Sequence, residues 1–137
     1  EFLITSSAGK GFFVNSNDII ASTKSGKKVM NLKDNDRAVS CAEKKGDLIV
    51  SISGEKKSFK LLAFNSSEIP NMQKGRGVTL QKFKSGKTLN AFCADSNEGI
   101  INERSKKVLL SAKDLKKWLG KRAQAGRIEP KNLHSKI

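Results

Sequence analysis

The stretch LITSSAG at residues 3–9 returns as LIVSISG at 48–54, 45 residues further on. Two further echoes keep the same order. NSNDI (15–19) has its counterpart in NSSEI (65–69), each a polar turn carrying an acid before an isoleucine. GKKVMNL (26–32) is matched by GRGVTLQ (75–81), and each is followed by a turn and a strand ending in Cys-Ala. A period of about 40 to 50 residues, four short strands long, is the mark of propeller-like blades, in which each unit buries its apolar faces only by stacking on its neighbours.

The local pattern supports that architecture. From the first residue to about Leu110, short β-type runs alternate with glycine and asparagine turns, and no apolar pattern of period 3.6 reaches helix length. The runs fall at 2–6, 11–14, 18–23, 27–32, 37–42, 48–52, 58–64, 78–83, 88–94, 99–102 and 107–110. Within the run at 78–83, alternation places Val78 and Leu80 on one face and Thr79 and Gln81 on the other. After Leu110, SAKDLKKWLG (111–120) predicts a two-turn helix with Ser111 as N-cap, Leu115, Trp118 and Leu119 on one face, and Gly120 as its stop. Trp118 reads as a docking anchor. The fold class is all-β, with blades of four short antiparallel strands and one short C-terminal helix. The units expected are a blade at 1–44, a blade with a degenerate glycine box at 45–97, and closing strands, helix and basic tail at 98–137.

Charge narrows the partners. The 27 Lys+Arg against 13 Asp+Glu leave a net charge of +14, which points to a polyanion. The sharpest concentration is QKGRGVTLQKFKSGK (73–87), where Gly75 and Gly77 flank Arg76. Between Ile69 and Ala94 stand Lys74, Arg76, Lys82, Lys84 and Lys87 and no acidic residue. Lys24, Lys27 and Lys28 recur around the matching turn of the first repeat, and Lys121, Arg122 and Arg127 extend the field into the tail. Lysines and arginines repeated along one rim suit backbone phosphates without base reading. The phenylalanines Phe12, Phe13, Phe59, Phe64, Phe83 and Phe92 are dispersed among apolar neighbours and read as core rather than as a stacking platform.

Other chemistries find little to use. The chain has no tyrosine, a single histidine, no HExxH or GxSxG motif and no complete phosphate-binding loop at GKGFF (9–13) or GKK (26–28). Its carboxylates are scattered over turns. Cys41 and Cys93 are too few for a disulfide framework and read as reduced strand residues, and no run approaches the length of a membrane-spanning helix. The chain opens without Met on an apolar strand already under way, so it reads as a piece of a longer protein.

At this point the residues resemble a known family. LITSSAGKGFFVNSNDIIASTKSGKKVMNL is similar to a blade of the C-terminal domain of the bacterial DNA topoisomerase IV A subunit, the relative of the gyrase A subunit. LIVSISGEKKSFKLLAFNSSEIPNMQKGRG resembles the next blade, and KKVLLSAKDLKKWLGKRAQAGR its closing strand, helix and basic end. The resemblance implies a β-pinwheel whose blades exchange strands and which binds duplex DNA nonspecifically around a basic outer edge. It also implies a non-catalytic, monomeric fragment of an ATP-dependent type II enzyme in the cytoplasm, at the nucleoid. In such an enzyme the cleaving tyrosine lies upstream, and ATP and Mg2+ are used elsewhere in a heterotetramer with an ATPase subunit. Gyrase carries a fuller glycine box, QRRGGKG; the chain's Gln73-Lys74-Gly75-Arg76-Gly77 lacks the double glycine, which favours topoisomerase IV and argues against strong chiral wrapping. The alternatives are a gyrase C-terminal domain and a propeller that docks an acidic protein partner.

Overall fold

The computed structural model describes residues 1–17, 32, 35–56, 58–130 and 133–137. Strand β1 (Phe2–Ser6) turns into β2 (Lys10–Val14), with Leu3 opposite Phe13 and Thr5 opposite Gly11. On the other side of β1 lies β3 (Ala38–Glu43), which sets Cys41 opposite Ile4 and Ala42 opposite Leu3. The second repeat rebuilds this arrangement. Strands β4 (Leu48–Glu55) and β5 (Ser58–Asn65) form its hairpin. After β6 (Val78–Thr79), β7 (Lys87–Ala94) flanks β4 with Cys93 opposite Ile49 and Ala94 opposite Leu48. The sequence echo is thus an equivalence of position. The two Asn-Ser turns match as well: the Asn15 side chain accepts from the Asn17 amide, and the Asn65 side chain from the Ser67 amide, each at 2.9 Å.

Each set of three strands is completed from further along the chain. Strand β6 pairs with β2, giving the order β3-β1-β2-β6, and β10 (Arg127–Ile128) pairs with β5, giving β10-β5-β4-β7. The fold therefore consists of four-stranded antiparallel sheets with exchanged outer strands. Beyond them, β8 (Ile100–Ile101) and β9 (Val108–Leu110) form a two-stranded sheet.

The sheets bury both faces. Leu3 and Phe13 meet Ile49, Leu62, Phe64 and Leu80 between the two large sheets. On the far face of the second sheet, Leu48, Val50 and Ile52 pack with Ile100, Leu110, Leu115 and Leu133. Two buried faces explain why LIVSI and FFV are apolar runs rather than clean alternations. Phe12, Phe13, Phe59 and Phe64 are core residues as expected, whereas Phe83 and Phe92 are half-buried. Cys41 and Cys93 are both free thiols on strands.

The run expected at 78–83 is a strand only over Val78–Thr79, and its faces differ from simple alternation. The Leu80 amide still bonds the Gly9 carbonyl (2.7 Å) in the register of β2, after which the chain turns to the tail, where the Lys82 amide bonds the Gln124 carbonyl (3.0 Å). Gln81, set by alternation on the face of half-buried Thr79, is only 1% exposed. The runs expected at 18–23 and 27–32 lie outside the described residues, apart from Leu32.

The helix is shorter than its pattern. Helix α1 spans Ala112–Leu115, capped by Ser111 Oγ, which accepts from the Asp114 amide at 3.2 Å, and tightens into a 3-10 turn at Lys116–Trp118. Leu119 falls outside it in extended backbone, bridging Ala63 with its side chain exposed rather than on the helix face. Trp118 packs on the core and donates from Nε1 to the Ile128 carbonyl at 2.9 Å, anchoring β10. Replacing Ser111 with alanine should cost about 1 kcal/mol, seen as a melting-temperature drop of about 4 °C.

Candidate nucleic-acid interface

The glycine box lies against the edge of the first sheet. Gly77 has φ +83, and a Cβ there would stand 2.6 Å from the Gly11 carbonyl carbon, so only glycine lets the chain pass this close to β2. Val78 and Thr79 then pair with Gly11 and Lys10. Lys74 is exposed on the approach. Arg76 is half-buried, and its Nε is a buried donor with no partner among the described residues. Lys10 reaches across the seam to give its ammonium to Thr79 Oγ1 at 2.7 Å.

The C-terminal stretch repeats this construction on the second sheet. Leu119 bridges Ala63 in parallel as Asn71 bridges Phe13. Gly126, at φ +81, passes against the Leu61 carbonyl as Gly77 passes against that of Gly11. Arg127 then sits opposite Leu61, and Ile128 opposite Lys60, in the places of Val78 and Thr79. The tail is a further copy of the outer-strand module, and it brings exposed Lys121, Arg127 and Lys60 to a second seam. The two seams are joined directly. The Arg122 guanidinium donates from Nη1 to the Thr79 carbonyl (2.9 Å), the Ala123 amide bonds the Leu80 carbonyl (2.9 Å), and Lys82 bonds Gln124 as described.

The other candidates are placed differently. Lys84 and Lys87 flank the Ser85-Gly86 turn, which packs on the β4–β5 hairpin, where Ser85 Oγ donates to Glu55 Oε1 at 2.8 Å. An acid thus stands beside a field that is acid-free along the sequence. Glu68 likewise accepts the Arg122 amide at 3.2 Å. Lys24, Lys27 and Lys28 lie outside the described residues. Sequence reasoning missed Lys10 and Lys60; their signal was equivalent position within the two hairpins, GKGFF and SFKLL.

Among the described residues, the charged side-chain groups of Lys74, Arg76, Lys82, Lys84, Lys87, Lys121, Arg122 and Arg127 form no ion pair with a carboxylate. The ion pairs lie elsewhere, at Lys44–Glu1, Lys45–Glu103, Lys106–Glu103 and Lys117–Asp114. There the hydrogen bond from Lys45 holds the Glu103 carboxyl below its ordinary value. The described residues include no cluster of three His, Cys, Asp or Glu side chains able to hold a metal. His134 bonds the Glu129 carboxylate and packs against the Phe59 ring. None of the described helices is long and apolar enough to cross a membrane.

Stacked four-stranded antiparallel sheets that borrow their outer strands define a propeller-like domain. The model of the DNA gyrase C-terminal domain, beta-propeller family matches residues 1–42 and 63–92, and the chain belongs to that family. Over 96% of its length the chain is 46% identical to the DNA topoisomerase 4 A subunit of Rickettsia felis, and it spans 17% of that protein. Its fold superposes on the E. coli ParC C-terminal domain with a TM-score of 0.70 at 20% identity, covering 96% of this chain and 56% of that one. Against a DNA gyrase A C-terminal domain the TM-score is 0.67 at 23% identity, covering 95% and 44%.

Proposed function

We propose that this chain is a non-catalytic, duplex-DNA-binding region of a topoisomerase IV A subunit, holding DNA for strand passage carried out by the rest of the enzyme. In this reading Lys74 and Arg76 are the centre of a phosphate-binding rim. Lys82, Lys121 and Arg127 support them, Lys10 and Lys60 contribute at the two seams, and Lys84 and Lys87 stand to the side. Lys24, Lys27 and Lys28 belong to the same proposed set of phosphate-binding residues. ATP and Mg2+ are used elsewhere in the enzyme, which works at the nucleoid as a heterotetramer with the ATPase subunit, and the fragment itself is monomeric.

One observation supports the reading: among the described residues, the cations at both outer-strand seams make no ion pair, while the ion-paired lysines lie elsewhere. A rim of free cations releases counterions from DNA, and each phosphate contact contributes about 0.9 to the slope of log affinity against log salt. The double variant Lys74→Gln/Arg76→Gln should therefore lower that slope by roughly two, equally for duplexes of unrelated sequence. The measurement is a titration of a labelled duplex at several salt concentrations. An unchanged slope removes the box from the interface. Absence of binding by the unaltered chain at low salt favours the docking of an acidic protein instead.

A further inference from the structure

We infer that Arg122 is a positioning residue, the strut by which the C-terminal stretch holds the basic box in its binding geometry, and not a phosphate ligand. This inference rests on the DNA-binding reading above and specifies how the rim is held.

The guanidinium of Arg122 is turned onto the protein, donating to the Thr79 carbonyl on the outermost strand of the first sheet. That strand is two residues long, shorter than strands usually are, so few ladder bonds hold it in place. Its position is over-determined from the tail side. The Arg122 amide is fixed by Glu68 Oε1, and the next residue, Ala123, is held at φ +70 while its amide bonds the Leu80 carbonyl. A non-glycine residue in the left-handed region is strained, and it persists where surrounding contacts hold it there. Thr79 is also the residue whose hydroxyl takes the Lys10 ammonium, so a shift of β6 displaces the box arginine and Lys10 together. The tail thus acts on affinity through the placement of other cations.

Salt dependence separates a strut from a ligand. A lost phosphate contact lowers the slope by about 0.9, whereas a misplaced rim binds more weakly at an unchanged contact number. For Arg122→Gln we expect duplex affinity to fall about fivefold with the slope unchanged, and amide exchange at Ala123 and Lys82 to accelerate while β4 and β5 stay protected. A slope reduced by a full contact, or an unchanged affinity, overturns the proposal.

Glu68→Ala gives a second reading that does not touch the arginine. Charge alone predicts tighter binding, because an acid leaves the neighbourhood of the rim. Loss of the strut's anchor predicts about twofold to fivefold weaker binding. Equal or tighter binding by this variant overturns the strut. Failure of the unaltered chain to bind any duplex is a different outcome, and it removes the DNA-binding reading itself together with this inference.

Discussion

Replacing Gly77 with alanine is expected to unseat β6 from β2, with a stability loss of about 3 kcal/mol and a fall in melting temperature of about 10 °C. Two terms add. Holding alanine at φ +83 costs roughly 1 to 2 kcal/mol. The new Cβ would also press into the Gly11 carbonyl and come within 2.9 Å of Phe12 Cδ1, in a core where overpacking costs roughly 1 to 3 kcal/mol. Backbone and a fully buried ring cannot swing aside as an exposed side chain would. The relief is for the strand to lift away, taking the Thr79 hydroxyl from Lys10 and freeing the Leu80 amide from Gly9. Duplex affinity should fall about tenfold with it, equivalent to about 1.4 kcal/mol. A melting temperature within a degree of the unaltered chain would show that the turn accommodates a side chain and that the close approach is unimportant.

Gln81→Leu should cost a similar amount by the opposite route, through lost polar satisfaction rather than overpacking. Buried Gln81 accepts from the Ser51 hydroxyl at 2.9 Å and donates to the Lys60 carbonyl at 3.0 Å and the Ala125 carbonyl at 2.9 Å. Leucine is of similar size, so the cavity term is small. The Ser51 hydroxyl and two carbonyls are left without this partner, at roughly 1 to 3 kcal/mol for each group that finds no substitute. Leucine's own favourable burial returns part of this, leaving a net loss of about 3 kcal/mol. Chemical denaturation of Gln81→Leu, Ser51→Ala and the double variant measures it. The expected signature is a coupling of about 1 kcal/mol between the two sites, and strict additivity would mean that the hydrogen bond contributes nothing.

The sequence discloses what is local. Hairpins at β1–β2 and β4–β5, the flanking Cys-Ala strands and the Asn-Ser turns were legible because turn chemistry and apolar runs act over a few residues. The Ser111 cap was legible for the same reason. The outer strands were not, since two-residue segments carry no periodicity. Only Gly126 links the tail to the glycine box by residue type. The burial of Gln81 does not follow from alternation, which presumes a continuing strand, whereas beyond Leu80 the chain turns to meet the tail. Leu119 departed from its expected face because the helix tightened and ended at Trp118. At the candidate site, the cluster at Lys74, Arg76 and Lys82 could be read directly. That Glu55 and Glu68 stand near parts of the field, and that Lys10 and Lys60 belong with it, follows from contacts between distant residues.

Borrowed outer strands also impose an order of assembly. During synthesis the N-terminal parts of a chain can fold first, yet here β2, with its apolar Phe12, Phe13 and Val14, keeps an open edge until residue 79 has been made. Strand β5 waits in the same way for residue 128. Each sheet is sealed by material made after it, so a nascent chain stalled part-way exposes an edge competent to pair with another chain. The basic residues carried by the sealing segments arrive at the moment of closure, so they take their places only as the sheets beneath them are completed.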